Sequence, residues 1–260
     1  IPITEMSAAD KLYSLRSEQQ NFIDNSFDPI ISYGVHAAIN HYFATPETDI
    51  PIEPRSFVLA DTGGNYYEGT TDITRTVVMG PVTEEQKMYF TAVLRGMLNL
   101  GAAKFRYGCT GVNLDYLARG PLWELGQDFN HGTGHGVGYL LNVHEGPNSF
   151  RWRNVPGGNA VFEEGMITSD EPGYYVEDGY GIRHENMLVC KKAEKTSYGQ
   201  FMCFEFLTMV PFDLDGIIPE QMTARERKLL NDYHAQVYKK ISPYLENEEK
   251  EWLKEATRAI

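Results

Sequence analysis

Cysteine is scarce in this sequence: Cys109, Cys190 and Cys203 stand far apart and include no CxxC pair. An odd, scattered set excludes a disulfide framework and a zinc ribbon, and fits reduced thiols in a cytosol. Cations are also few, with 23 Lys and Arg against 36 Asp and Glu, a formal net charge of −13. Nucleic-acid binding relies on neutralising phosphates with Lys and Arg, so this balance argues against a polyanionic partner. No stretch approaches the roughly 18 apolar residues of a membrane span. The opening IPITEMSAAD has neither the basic head nor the apolar middle of a secretion signal. Also missing are a GxSxG elbow, a P-loop and the GxGxxG spacing from any glycine. Serine-nucleophile hydrolysis and nucleotide chemistry are left without support.

What is present suits a folded enzyme. At 260 residues and 42% hydrophobic, the chain can bury a sizeable core. The reading is one α+β domain, residues 1–222, with residues 223–260 as a helical C-terminal extension. Apolar spacing predicts a helix over 8–23, then a strand from Ile30 to Gly34. Phe57–Ala60 and Ile73–Met79 read as an antiparallel hairpin turning near residues 66–67. Thr83 to Gln86 and Thr223 to Glu226 are capping boxes. The first should open a long helix ending near Tyr107-Gly108, the second a helix broken by Pro243, with a last helix around Trp252. A shorter helix is predicted over Val112–Arg119, and strands over Met166–Ser169, Gly181–Val189 and Met202–Met209.

The chemistry concentrates in HGTGHGVGYLLNVHEGP, which carries His131, His135 and His144, three of the seven histidines, among flexible glycines. Four carboxylates elsewhere complete a two-metal ligand set with His135: Asp61, Asp72, Glu171 and Glu185. The hairpin would place Asp61 roughly opposite Asp72, about 5 Å apart at Cβ. Two ionised carboxylates that close repel each other unless a cation lies between them. Period-two alternation through Gly181–Glu185 puts Arg183 and Glu185 on one face, where Arg183 can hold a ligand carboxylate, and turns His184 away as a structural residue. Glu171, before Pro172-Gly173, sits at a strand's end. His36 and His234 have no supporting context.

The segments DTGGNYYEGTTDITRT, HGTGHGVGYLLNVHEGP, SDEPGYY and GIRHENMLV occur in the order found in the pita-bread metallopeptidases, and the chain resembles that group from about Ser7 to its C-terminus. The His135–His144 spacing, GVHAAINHYFATPET and the C-terminal helices are most similar to the cytosolic type of aminopeptidase P. The resemblance implies a pita-bread fold with an antiparallel β-sheet flanked by helices, and cleavage of the bond between an N-terminal residue and proline. It implies that Asp61, Asp72, His135, Glu171 and Glu185 hold two divalent metal ions, with Asp72 and Glu185 bridging. His41, His131 and His144 would bind substrate, His41 and His144 also taking part in catalysis, with Arg183 and Tyr175 behind the ligands. Glu171 would act as general base on a water shared by the two ions. The oxygen-rich set favours Mn2+, with Co2+ or Zn2+ able to bind. The expected partner is a peptide with proline second. The resemblance allows for a homodimer and implies a helix and further domains upstream of Ile1. It would place an aliphatic residue at His184. A prolidase, acting on Xaa-Pro dipeptides, differs in substrate length, and a non-catalytic module of this fold would lack ligands that are all present here.

Overall fold

The computed structural model describes residues 2–260. In chain order the elements are α1 (Glu5–Ser17), β1 (Phe22–Asn25), β2 (Ile30–Tyr33), β3 (Phe57–Thr62), β4 (Gly64–Tyr66), β5 (Gly69–Thr70), β6 (Ile73–Val78) and α2 (Glu84–Gly101). Then come β7 (Lys104–Arg106), α3 (Gly111–Leu114), α4 (Tyr116–Trp123), β8 (Gly134–Val137), β9 (His144–Phe150), β10 (Ile167–Asp170), β11 (Gly173–Val176) and β12 (Tyr180–Arg183). The chain closes with β13 (Asn186–Thr196), β14 (Gly199–Phe206), α5 (Ala224–Ile241) and α6 (Asn247–Ala256).

All described strand pairs are antiparallel. A six-stranded sheet runs β7-β14-β13-β10-β8-β9, beside three-stranded sheets β2-β3-β6 and β1-β4-β5 and the β11-β12 hairpin. Helix α2 supplies the core: Phe90, Val93, Leu94, Met97 and Leu98 are fully buried. The α+β class is therefore observed, with antiparallel sheets and α2 packed against them as the resemblance implies.

Both predicted capping boxes form. The Gln86 amide donates to Thr83 Oγ1 at 3.1 Å and the Thr83 amide to Gln86 Oε1 at 2.8 Å, with the same exchange between Thr223 and Glu226. Glu226 is itself buried and accepts from Arg95 and Asn99 of α2, tying α5 to that helix. The last helices are not peripheral, because Leu230, Tyr233 and Val237 share the core with α2.

Several boundaries differ from the sequence reading. The helix expected over 8–23 stops at Ser17, because Asn21 takes a left-handed φ of 64° and Phe22 pairs with Tyr66 in β1-β4. Helix α2 ends at Gly101, not near Gly108, since residues 104–106 are drawn to the edge of the large sheet, Phe105 opposite Met202. The short helix over 112–119 is two pieces and runs through Pro121 to Trp123. The predicted strand over 181–189 is two, because Arg183 ends β12 in one sheet and Asn186 begins β13 in another.

A metal-ligand constellation in one cavity

The β3-β6 hairpin has Asp61 opposite Thr74 and Thr62 opposite Ile73, so Asp61 and Asp72 are diagonal neighbours and not the facing pair expected. The register continues outward through β4-β5, with Asn65 opposite Thr70 and the tip at residues 67–68. Extending the hairpin this way leaves Asp61, Asp72 and Thr74 on one face by strand alternation.

Thr74 and its neighbours were not singled out in the sequence, yet they organise this face. Thr74 Oγ1 donates to Glu185 Oε2 at 2.7 Å, and the Glu185 amide donates to the Thr74 carbonyl at 3.1 Å. Thr76 Oγ1 exchanges hydrogen bonds with the Arg183 backbone, both at 3.0 Å. From the opposite face, Arg75 donates to the Glu185 carbonyl at 2.5 Å and to Asn186 Oδ1 at 2.7 Å, while its guanidinium lies 3.9 Å over Phe212. The alternating Thr-Arg-Thr after Asp72 was the available signal, since an arginine buried on a strand needs acceptors for its guanidinium.

Arg183 and Glu185 face the cavity although the strand breaks between them. Arg183 Nη2 donates to Asp61 Oδ2 at 2.6 Å and Nη1 to the Tyr175 hydroxyl at 2.8 Å. That hydroxyl lies 2.9 Å from His131 Nε2, and His131 Nδ1 lies 2.8 Å from the Gly132 carbonyl, which fixes Nδ1 as the protonated nitrogen. His184 points away, its ring buried between Phe90 at 4.3 Å and Phe212 at 5.6 Å, where the resemblance implies an aliphatic side chain.

The cavity has a volume of about 480 Å³, and Asp61, Asp72, His135, Glu171 and Glu185 all line it. Donor atoms of Asp72, His135 and Glu185 lie within 4.8 Å of one another. His135 Nε2 is 3.4 Å from Asp72 Oδ2 and 3.2 Å from Glu171 Oε1, and Ser169 Oγ donates to that same Glu171 oxygen at 2.9 Å. His41, His131 and His144 line the same space, with ring centres 4.1 Å apart for His135–His144 and 6.3 Å for His41–His144. Tyr175 stands behind this wall. Arg151, also in the lining, was not anticipated; its Nε is buried without a hydrogen-bond partner among the described residues.

Burial and the repulsion of neighbouring carboxylates make Asp61 and Glu185 resist ionisation. Burial pushes Asp61 up to about 7 against the pull of Arg183, with repulsion from Asp72 adding to the rise. Burial, then repulsion from Asp72, Glu171 and Asp61, raises Glu185 well above its ordinary range. At His135 burial opposes protonation, but hydrogen bonds to Asp72 and Glu171 outweigh it and push the imidazole up to about 11. Burial raises Glu171, but the same His135 contact wins and holds it to about 2. Burial lowers His131 to about 4, leaving it neutral. Burial and the charge on His135 also hold His144 below its usual value.

The donor set fits divalent cations. It comprises one imidazole and four carboxylates, and Asp61 Oδ1 and Glu185 Oε1 are buried with no hydrogen-bond partner among the described residues. Orphaned buried carboxylate oxygens are costly unless a cation or proton meets them.

Comparison with known proteins agrees with this chemistry. The model for "Metallopeptidase family M24" matches residues 2–192, and that for "C-terminal region of peptidase_M24" matches residues 200–260. Aminopeptidase P1 of Arabidopsis thaliana is 43% identical over 265 residues, which is 99% of this chain and 40% of the plant protein. A probable Xaa-Pro aminopeptidase P of Arthroderma otae is 43% identical over 268 residues, 99% of this chain and 42% of its own length. The solved X-prolyl aminopeptidase of Caenorhabditis elegans, described as a cytosolic enzyme with a di-nuclear active site, superposes with a TM-score of 0.93. It is 39% identical, covering 99% of this chain and 42% of that one. The prolidase of Pyrococcus furiosus gives a TM-score of 0.64 at 32% identity, covering 72% of this chain and 53% of that one. The chain thus spans about two fifths of the length of the aminopeptidases it matches.

Proposed function

The chain belongs to metallopeptidase family M24, and from that premise we propose that it carries the catalytic centre of a Xaa-Pro aminopeptidase. The observation that carries the reading is the convergence of Asp72, His135 and Glu185 within 4.8 Å, with Asp61, Glu171 and three further histidines in the same cavity. Asp61, Asp72, His135, Glu171 and Glu185 would hold two divalent cations, with Mn2+ the best match to an oxygen-rich set. When bound, the cations offset the carboxylates and polarise the scissile carbonyl.

The chain's own groups do the rest. Glu171 takes the proton of the attacking water and passes it to the proline nitrogen as the C–N bond breaks. His144, neutral and on the solvent side, donates to the carbonyl oxygen as it gains charge, and His41 across the cavity holds the peptide. His131, tied through Tyr175 to Arg183, shapes the substrate wall. Arg183 keeps Asp61 aimed inward.

The reading extends to a peptide with proline second as partner, a homodimer, cytoplasmic location and further upstream domains. It treats residues 1–222 as the catalytic domain and 223–260 as its helical extension. Among the described residues no helix is long and apolar enough to cross a membrane. The decisive experiment measures metal content and cleavage of Xaa-Pro-Xaa against Xaa-Pro on the same preparation. Two equivalents with tripeptide cleavage supports the reading. Dipeptide cleavage alone makes the protein a prolidase, and absence of both activities refutes a peptidase.

A further inference from the structure

Behind the histidine wall lies a buried ion pair to which the reaction assigns nothing. Arg119 of α4 is fully buried, and its Nε donates to Asp115 Oδ2 at 2.7 Å. Nη1 reaches Asp128 Oδ1 at 2.6 Å and the Phe129 carbonyl at 2.7 Å, Nη2 reaches the His131 carbonyl at 2.8 Å, and the guanidinium lies 3.8 Å over the Phe129 ring. Asp115 Oδ1 accepts from Thr133 Oγ1 at 2.6 Å. Thr133 is itself fully buried, and its carbonyl accepts from the Glu171 amide at 2.8 Å.

The segment this pair holds, residues 127–133, has no helix or strand of its own. Its Phe129 and His131 carbonyls find acceptor satisfaction only at Arg119 among the described residues. A buried ion pair is weak evidence for stability, because its desolvation opposes its attraction, but a planar guanidinium with all three nitrogens engaged fixes orientation. We propose that Asp115 and Arg119 are positioning residues for the reaction, acting through Thr133 and the His131 carbonyl to set the His131 ring and the Glu171 backbone together. The two functional groups lie on different segments, and Thr133 is the hydrogen-bonded joint between them.

The kinetic arm of the test rests on the peptidase reading above, whereas an amide-exchange arm does not. Thr133→Val removes the hydroxyl and keeps the shape, and Thr133→Ser restores it. In the metal-loaded chain, Thr133→Val should lower kcat on Xaa-Pro-Xaa on the order of tenfold with KM little changed, as expected of a small misplacement. Metal content should stay at the wild-type level. By deuterium exchange the Glu171 amide should open about tenfold faster while the amides of α5 are unmoved, and Thr133→Ser should rescue both readouts. Wild-type kcat and wild-type Glu171 exchange in Thr133→Val, failure of Thr133→Ser to rescue, or uniform acceleration of every amide would each overturn the proposal. If the wild-type chain cleaves no Xaa-Pro peptide, the function above fails and the exchange comparison alone decides the positioning role.

Discussion

Arg183 holds Asp61 at 2.6 Å on the wall of the cavity that both line, so a cationic side chain sits directly beside a carboxylate assigned to metal. Two effects oppose each other in an Arg183→Met variant. Loss of the guanidinium leaves the cavity more negative, which favours divalent ions, but frees Asp61 and the Tyr175 hydroxyl from their shared donor. Orientation should dominate the rate and charge should dominate binding. The expected outcome is a kcat lower by about 10²-fold, the scale of lost positioning, with metal content undiminished. Activity loss in proportion to metal loss would sink this assignment.

Glu171→Gln should reduce kcat by at least on the order of 10²-fold, because an amide cannot accept the water's proton. His144→Ala should reduce catalysis and leave metal content largely intact, since the ring touches His135 and faces solvent without reaching the three-donor cluster. Paired measurements of kcat and metal by mass spectrometry check both. Equal loss of metal and rate in His144→Ala shows that the ring serves the ions.

The five proposed ligands were legible because histidine and carboxylates were spaced among glycines and strand ends, and alternation sufficed to aim Arg183 and Glu185 together. What escaped was register. A hairpin's turn can be guessed to within a residue or two, but a slip of one changes which residues face, and Asp72 is diagonal to Asp61 instead of opposite. Element ends escaped for a related reason. Residues 104–106 carry helix-compatible side chains, and only pairing with β14, almost a hundred positions later, makes them a strand. Thr74 reaches a partner 111 positions away and Arg75 one 158 away, so the Thr-Arg-Thr alternation could mark a buried strand without announcing those partners, whereas Asp115 and Arg119, four apart, were within reach of local spacing.

Metal binding should strengthen as pH rises. In the ion-free cavity His135 is pushed up to about 11, so it carries a proton at neutral pH that a cation must displace. One displaced proton makes apparent affinity rise about tenfold per pH unit. Below about 7 the proton taken up by Asp61 steepens the dependence. Calorimetric titration of Mn2+ into the ion-free chain across this range checks the sign and slope. Affinity that is flat or falls with pH would show that no ligand is protonated before binding.

Acid stability should depend on His184. Burial lowers its imidazole from 6.5 to about 3, and His234, buried behind Phe212, falls to about 4. Between those values and the ordinary 6.5, the unfolded chain binds protons that the folded chain refuses. Stability is therefore fully present above the unfolded value and is lost as pH falls toward the folded one, at a limit of ~1.4 kcal/mol per pH unit for each ring. Neither ring nitrogen of His184 makes a hydrogen bond of good geometry among the described residues, the Phe90 backbone offering only a weak contact, so leucine forfeits little there. His184→Leu should remove the contribution of its own ring and leave those of His234 and the other buried imidazoles in place. The comparison is between the wild type and the variant in the change of urea midpoint on going from neutral to mildly acidic buffer. That difference cancels the carboxylates common to both, as well as any constant packing effect of the substitution. The variant should lose less stability on acidification, and an identical loss in both proteins would mean that the folded chain protonates this ring after all.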